Sequence, residues 1–186
     1  MSGRRRLAVN VDVDGLGLYH AIHGLTQDPD FDPIWERGVP RFLEFFESLG
    51  LRATFFIVAR DLERPRNRRM AEEMVRRGHE VASHTYSHPY DLIRKPLAVI
   101  RDEISRAEPL LEAVRQSPVR GFRAPGYNVS ERVFEVLTER GYRYDSSLFP
   151  CPPYYAARAL AIGVGRIRGR RSRSIVGDLR APFTRR

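Results

Sequence analysis

The chain has 186 residues, 42% of them hydrophobic and 30% charged, with a net charge of +9 and one cysteine. That length supports a full domain core, the composition excludes a disordered chain, and a lone Cys151 excludes a framework of internal disulfides. The apolar run after Arg4-Arg5-Arg6 reaches only from Leu7 to Val11 before Asp12 and Asp14 interrupt it; this is too short for a secretory core or a bilayer crossing, so a cytoplasmic location is expected.

Leu7 to Val13 predicts the first strand, with Val9, Val11 and Val13 on one side and Asn10, Asp12 and Asp14 on the other. Carboxylates two residues apart in a strand point to the same face. One could ligate a cation while the other takes a proton from water; an isolated Asp-x-Asp is equally the polar side of a half-exposed strand. His20 and His23 follow in a Gly-rich stretch that reads as a loop, facing solvent or touching substrate.

Val39 to Leu49 carries apolar residues at helical spacing and stops at Gly50. Ala53 to Val58 is β-rich and predicts a buried strand. Asn67 to Arg77 predicts a helix ending at Gly78, followed by a short strand from His79 to Ala82. His79, where that helix ends, reads as a capping or structural residue.

The segment Ser83-His84-Thr85-Tyr86-Ser87-His88-Pro89 places two imidazoles four residues apart. On one helical turn they would share a face and reach one cation. Thr85 stands where a zincin protease carries glutamate, so a general base must come from elsewhere, and Asp12 is available.

Leu97 to Val114 is the longest helical pattern, and Pro118 to Arg123 predicts a strand. Arg123 could hold a carboxylate, plausibly that of Asp12, in a fork-like pair; the alternative is a surface arginine beside a loop. Gly126 permits close backbone approach, so a nearby N–H could polarise a substrate carbonyl. Ser130 to Arg140 predicts a helix capped by Ser130 and ended by Gly141, and Tyr142 to Ser146 a further strand.

After about Pro150 the pattern decays, and residues 158–186 read as an Arg-rich irregular end of a single domain spanning 1–186. Arg166 to Ser174 could bind phosphates of nucleic acid or anionic lipid. It lacks interleaved aromatics and fits no nucleic-acid motif, so a solvated surface loop is expected. Strands and helices alternate about five times, which predicts βα units on a parallel sheet, with the chemistry-bearing residues at the C-terminal ends of three strands.

Taken in order, Asp12-Val13-Asp14, His84-x-x-x-His88 preceded by Ser83, and Arg123-Ala124-Pro125-Gly126 resemble the three motifs of the NodB-homology polysaccharide deacetylases, carbohydrate esterase family four. Arg52 to Phe56 and Gly78 to His84 are also similar to family sequence, and the resemblance spans Leu7 to Ser147. The separated Asp-x-Asp is similar to a subgroup that includes peptidoglycan-deacetylase-like and allantoinase-like members. The resemblance implies a distorted (β/α) barrel, with Asp12 as general base, Arg123 as its orienting partner, and Asp14, His84 and His88 as metal ligands. It implies substrate contacts at Gly126 and Tyr127, which stand in swapped order relative to the usual family form.

The implied cofactor is a divalent cation, zinc by ligand type, with cobalt, nickel and manganese open. The implied substrate is an N-acylated saccharide, or a small linear or cyclic amide. Family members usually carry a late histidine that protonates the departing amine, and none follows His88 here. The family barrel has about seven strands against about five countable ones, so a C-terminally shortened barrel is expected. The rival expectation is a metal- or sugar-binding protein on the same scaffold without turnover.

Overall fold

Parallel strands joined by helical crossovers build the molecule, and the computed structural model describes residues 7–23, 31–149 and 151–167. Strand β1 (Val9–Val13) leads into helix α1 (Leu16–His23), and a π-helical turn at Ile34–Gly38 runs into α2 (Val39–Ser48). Strand β2 (Ala53–Ile57), a 3-10 turn at Ala59–Glu63, α3 (Pro65–Arg76) and β3 (Glu80–Ser83) follow. Helices α4 (Leu97–Ser105) and α5 (Ala107–Arg115) precede β4 (Gly121–Phe122), and α6 (Glu131–Glu139) precedes β5 (Tyr144–Asp145) and α7 (Pro152–Ile167).

The five strands lie in the order β1-β2-β3-β4-β5, every neighbouring pair parallel. Sequential order is what a (β/α) barrel wall requires, because each crossover adds the next strand to the same side. β1 pairs only with β2 and β5 only with β4, so the sheet stays open among the described residues. No helix among them is long and apolar enough to cross a membrane.

Two apolar clusters cover the outer face of the sheet. Trp35, Leu43 and Phe46 from the α2 side, Met74 from α3 and Leu111 and Val114 from α5 pack on Phe55, Ile57 and Val81. Ile100 and Ile104 of α4 with Val133 and Val136 of α6 pack on Phe122. This is burial of amphipathic helix faces against β-branched and aromatic strand residues, the main source of stability in such a layer.

Several elements differ from expectation. Leu16–His23 is helical despite its glycines, because the Asp32 carboxylate reaches back to accept the Leu16 N–H at 3.4 Å and satisfies one donor of the first turn. Leu97 to Val114 is two helices broken at Arg106; Pro109 falls in the first turn of the second, where a missing N–H costs nothing. Ser130 precedes α6 without a side-chain cap, its hydroxyl unpaired, and its carbonyl accepts from Val133 N–H instead.

Residues 158–167 are not irregular but continue α7. Its alanine-rich middle has high helix propensity and Pro152-Pro153 suit a first turn. The remainder of the expected arginine-rich end, and the Arg4-Arg5-Arg6 stretch, lie outside the described residues.

Candidate metal centre and acid-base site

Strand register brings the named residues together. Asp12 is opposite Phe56, and Phe56 opposite Ala82; Ser83 is opposite Phe122, and Phe122 opposite Asp145. With a side-chain period of two, Asp12, Asp14, His84, Arg123 and Ser146 fall on one face at the C-terminal edge. Arg123 lies over the Phe56 ring, its guanidinium carbon 4.2 Å from the centroid.

Asp14, His84 and His88 offer one ligand atom each within 4.8 Å of one another. The Nε2 atoms of both histidines stand 3.5 Å from Asp14 Oδ1. His84 Nδ1–H donates to the Arg123 carbonyl at 2.6 Å, which leaves the Nε2 lone pair directed at the cluster. Asp14 Oδ1 and His88 Nε2 are buried with no hydrogen-bond partner. Orphaned donors and acceptors at such depth are costly, and a cation shared by the three residues would satisfy them, so the donor set fits a divalent metal.

Electrostatics agree with that fit. Burial pushes the Asp14 carboxyl up, opposed by nearby His84 and reinforced by Asp12. Burial, then the neighbouring His84, depresses His88 to about 2, so its ring is neutral and able to ligate.

The two histidines do not lie on a helical turn. His84 follows β3 directly, and the chain then bends through left-handed backbone at Thr85 (φ 66°) and His88 (φ 61°). Sheet pairing still holds the first ring, as the His84 N–H donates to the Ile57 carbonyl at 2.9 Å, so a loop has to return the second. Thr85 Oγ1 accepts the His88 N–H at 3.0 Å, and Glu103 of α4 accepts from the Ser87 N–H at 2.9 Å and Oγ–H at 2.6 Å. The rings end 4.9 Å apart between centroids, edge to face.

Asp12 stands beside the cluster. Arg123 Nη1 donates to its Oδ1 at 2.7 Å, and Tyr127 Oη to its Oδ2 at 3.4 Å. The expected fork is divided: Arg123 Nε and Nη2 go to Ser146, carbonyl and hydroxyl, at 2.9 and 2.7 Å. Ser146 is thereby a positioning partner that the sequence patterns had not singled out.

Gly126 (φ 59°) and Tyr127 (φ 61°) are both left-handed, which accommodates the swapped order; the Tyr127 N–H is spent on the Ala124 carbonyl at 3.0 Å. A Cβ at Gly126 would sit 2.7 Å from Arg158 Nη2, a mobile side-chain end, so it is the φ of 59° that favours glycine there. His79 is structural: its Nδ1 accepts the Ala53 N–H at 3.1 Å, and its ring packs on Phe46 and Phe55. His20 is half-buried on α1, its Nδ1 unpaired, and the side chain of His23 lies outside the described residues.

Helix and loop tyrosines unmarked by any motif also surround the cluster. Tyr19 Oη donates to Asp14 Oδ2 at 3.4 Å, and the Tyr90 ring meets His88 edge-on at 4.6 Å.

Comparison with known proteins places this geometry. The polysaccharide deacetylase family profile matches residues 30–144. A peptidoglycan deacetylase of Helicobacter pylori is 29% identical over 162 residues, covering 80% of this chain and 52% of that protein. The chain thus spans about half the length of the curated relatives it matches. Among solved structures, a Mycobacterium smegmatis protein assigned as a polysaccharide deacetylase is 26% identical with a TM-score of 0.63, over 76% of this chain and 50% of that one. A family-four pseudoenzyme from Bacillus anthracis shares the fold at 22% identity and a TM-score of 0.58, over 74% of this chain and 41% of that one.

Proposed function

The chain belongs to the polysaccharide deacetylase family, and on that premise we propose that it is a metal-dependent hydrolase that removes acetyl groups from the nitrogen of an N-acetylated sugar. The observation that carries this reading is the Asp14–His84–His88 cluster lying beside the Asp12–Arg123 pair. The kinship to peptidoglycan deacetylases supports the substrate class.

Asp14, His84 and His88 would hold the cation, zinc by ligand type. When bound, it supplies Lewis acidity for activating water and polarising an acyl oxygen. Asp12 takes the proton from the attacking water, and Arg123, fixed on Ser146, keeps that carboxylate oriented. Water oxygen bonds to the acyl carbon, the C–N bond breaks, and the proton passes to the departing nitrogen. A cytoplasmic location belongs to the same proposal and is checked by cell fractionation.

The test is zinc per chain and acetate release from N-acetylglucosamine oligomers, for the parent beside His84→Ala. About one zinc, with acetate release dependent on it, supports the reading. Zinc equal in both proteins, or release insensitive to metal removal, sinks it. Release of ammonia or a ring-opened product without acetate would move the substrate to a small amide. A second reading is metal or sugar binding without turnover. It predicts saccharide binding with no acetate.

A further inference from the structure

Helix α7 is amphipathic in the inverted sense. Its inward side carries Tyr154, the buried Tyr155 and Arg158, and Arg158 Nη1 donates to the Gly126 carbonyl at 2.7 Å, tying the helix to the turn after β4. Pro153, Ala156, Ala157, Leu160, Val164 and Ile167 recur at intervals of three and four, which puts them on one face. All of them are exposed. Leu160 is 69% exposed and Ile167 87%. No polar side chain interrupts this stripe.

A continuous apolar face turned to water marks a contact surface, whereas single exposed apolar residues do not. Helix α2 shows the ordinary case: Phe42 and Phe45 are exposed there, with the exposed charges of Arg41 and Glu44 among them. The 16 residues of α7 make a rod of about 24 Å. No helix among the described residues is long and apolar enough to cross a membrane. A short helix with one apolar side suits the plane of an interface instead.

Charge selects what covers the stripe. The chain carries a net charge of +9, and no acid stands between Pro152 and Gly177. Arg166, Arg168, Arg170, Arg171 and Arg173 fall in or directly after the last turn of α7 in the sequence. A second copy of the chain would set one such cationic stretch beside another. A lipid surface with anionic headgroups answers the apolar stripe and the arginines together.

We propose that α7 docks the protein in the plane of an anionic lipid surface, with Leu160, Val164 and Ile167 sunk toward the acyl chains and the neighbouring arginines meeting headgroup phosphates. The Arg158–Gly126 contact on the opposite side of α7 holds the rest of the domain to the docked helix. Neither Leu160 nor Ile167 belongs to the candidate metal centre, so docking is separable from chemistry and stands apart from the hydrolase reading.

The experiment co-sediments the full chain with vesicles of phosphatidylcholine and phosphatidylglycerol at about 7:3, beside vesicles of phosphatidylcholine alone. We expect binding to the mixed vesicles to be at least about tenfold tighter than to the neutral ones. Leu160→Gln with Ile167→Gln keeps straight-chain residues at two exposed helix positions and should weaken mixed-vesicle binding about tenfold or more. Leu160→Met with Ile167→Leu, equally apolar, should bind like the parent within about twofold. Equal binding to both vesicle types, or binding to neither, overturns the proposal. Binding that survives the glutamine pair comes from charge alone and overturns the docking face. A dimer in vesicle-free solution that the glutamine pair abolishes, with no vesicle binding by the parent, gives the stripe to a second copy and overturns it as well.

Discussion

Arg123 reaches Asp12 across 111 residues of sequence and donates from Nη1 to Oδ1 at 2.7 Å, while its other two nitrogens donate to Ser146. The carboxylate is therefore aimed by an arginine that cannot swing, since three of its nitrogens and the ring of Phe56 fix its plane. Asp12 has no part in the ligand cluster itself. We expect Asp12→Ala to keep metal affinity within about threefold while kcat falls at least about a hundredfold, the usual scale of general-base catalysis. Titration with zinc and steady-state acetate release check this. Loss of the metal instead would exchange the roles of Asp12 and Asp14.

His84→Ala removes a ligand whose tautomer the Arg123 carbonyl fixes at 2.6 Å. Bound zinc should fall to about one-tenth of the parent level or less, as loss of one of three protein ligands leaves too few donors. Elemental analysis after dialysis reads it directly, and an unchanged zinc content would remove this site from consideration.

Glu103 shapes the loop between the two histidines by taking both the N–H and the hydroxyl of Ser87, and its own carbonyl accepts the Tyr86 N–H at 3.0 Å. Glu103→Ala should weaken zinc about tenfold, as losses behind the direct ligands do, and Ser87→Ala less. The double variant should resemble Glu103→Ala alone, because both substitutions break the same contact. Chelator competition gives all three numbers; fully additive losses would show that Glu103 acts elsewhere.

Asp61 gives a prediction about pH. Burial, opposed by the Trp35 Nε1–H donor at 3.3 Å and reinforced by Asp32, raises its carboxyl from 3.8 to about 6. Below pH 3.8 both folded and unfolded chains carry the proton, and nothing is lost. As pH climbs from 3.8 to about 6 the unfolded chain sheds a proton that the folded chain keeps, so stability falls through that window. Asp61→Asn retains an acceptor for Trp35 and escapes the penalty. It should be more stable than the parent by about 2–3 kcal/mol at pH 7.5, and equal to it at pH 3.5. Urea unfolding at the two pH values checks both halves; a stabilisation independent of pH would refute the assignment.

Strand identity was largely legible in the sequence because the outward faces are so apolar. Phe55 and Ile57 lie in a stretch that reads as a buried strand and both are buried, as are Val81 and Phe122 in the next two strands. Asp12, Asp14, His84 and Arg123 were legible as candidates too, since each sits at or just past a strand end. The route of the chain between His84 and His88 was not: four-residue spacing fits a helical turn as well as a loop, and the left-handed residues that decide it are Thr85 and His88, neither of which advertises positive φ. Glu103 and Ser146 were hidden for a different reason. Their roles depend on hydrogen bonds closed across 16 and 23 residues, which no local pattern encodes. Helix α7 was missed because arginines and prolines masked a run of strong helix formers.

The one-after-another order of the sheet has a consequence for the nascent chain. Asp14, His84 and His88 are all synthesised by residue 88, past the ends of β1 and β3, with β2 paired between them. Helices α3 and α5 complete the cover over those strands, but the carbonyl that holds the His84 ring belongs to Arg123, just past β4. Arg123 and Ser146, which aim Asp12, arrive later. The ligand cluster and the carboxylate beside it are thus finished by the same late strands: until β4 and β5 pair, neither the His84 ring nor Asp12 has the partner that fixes it.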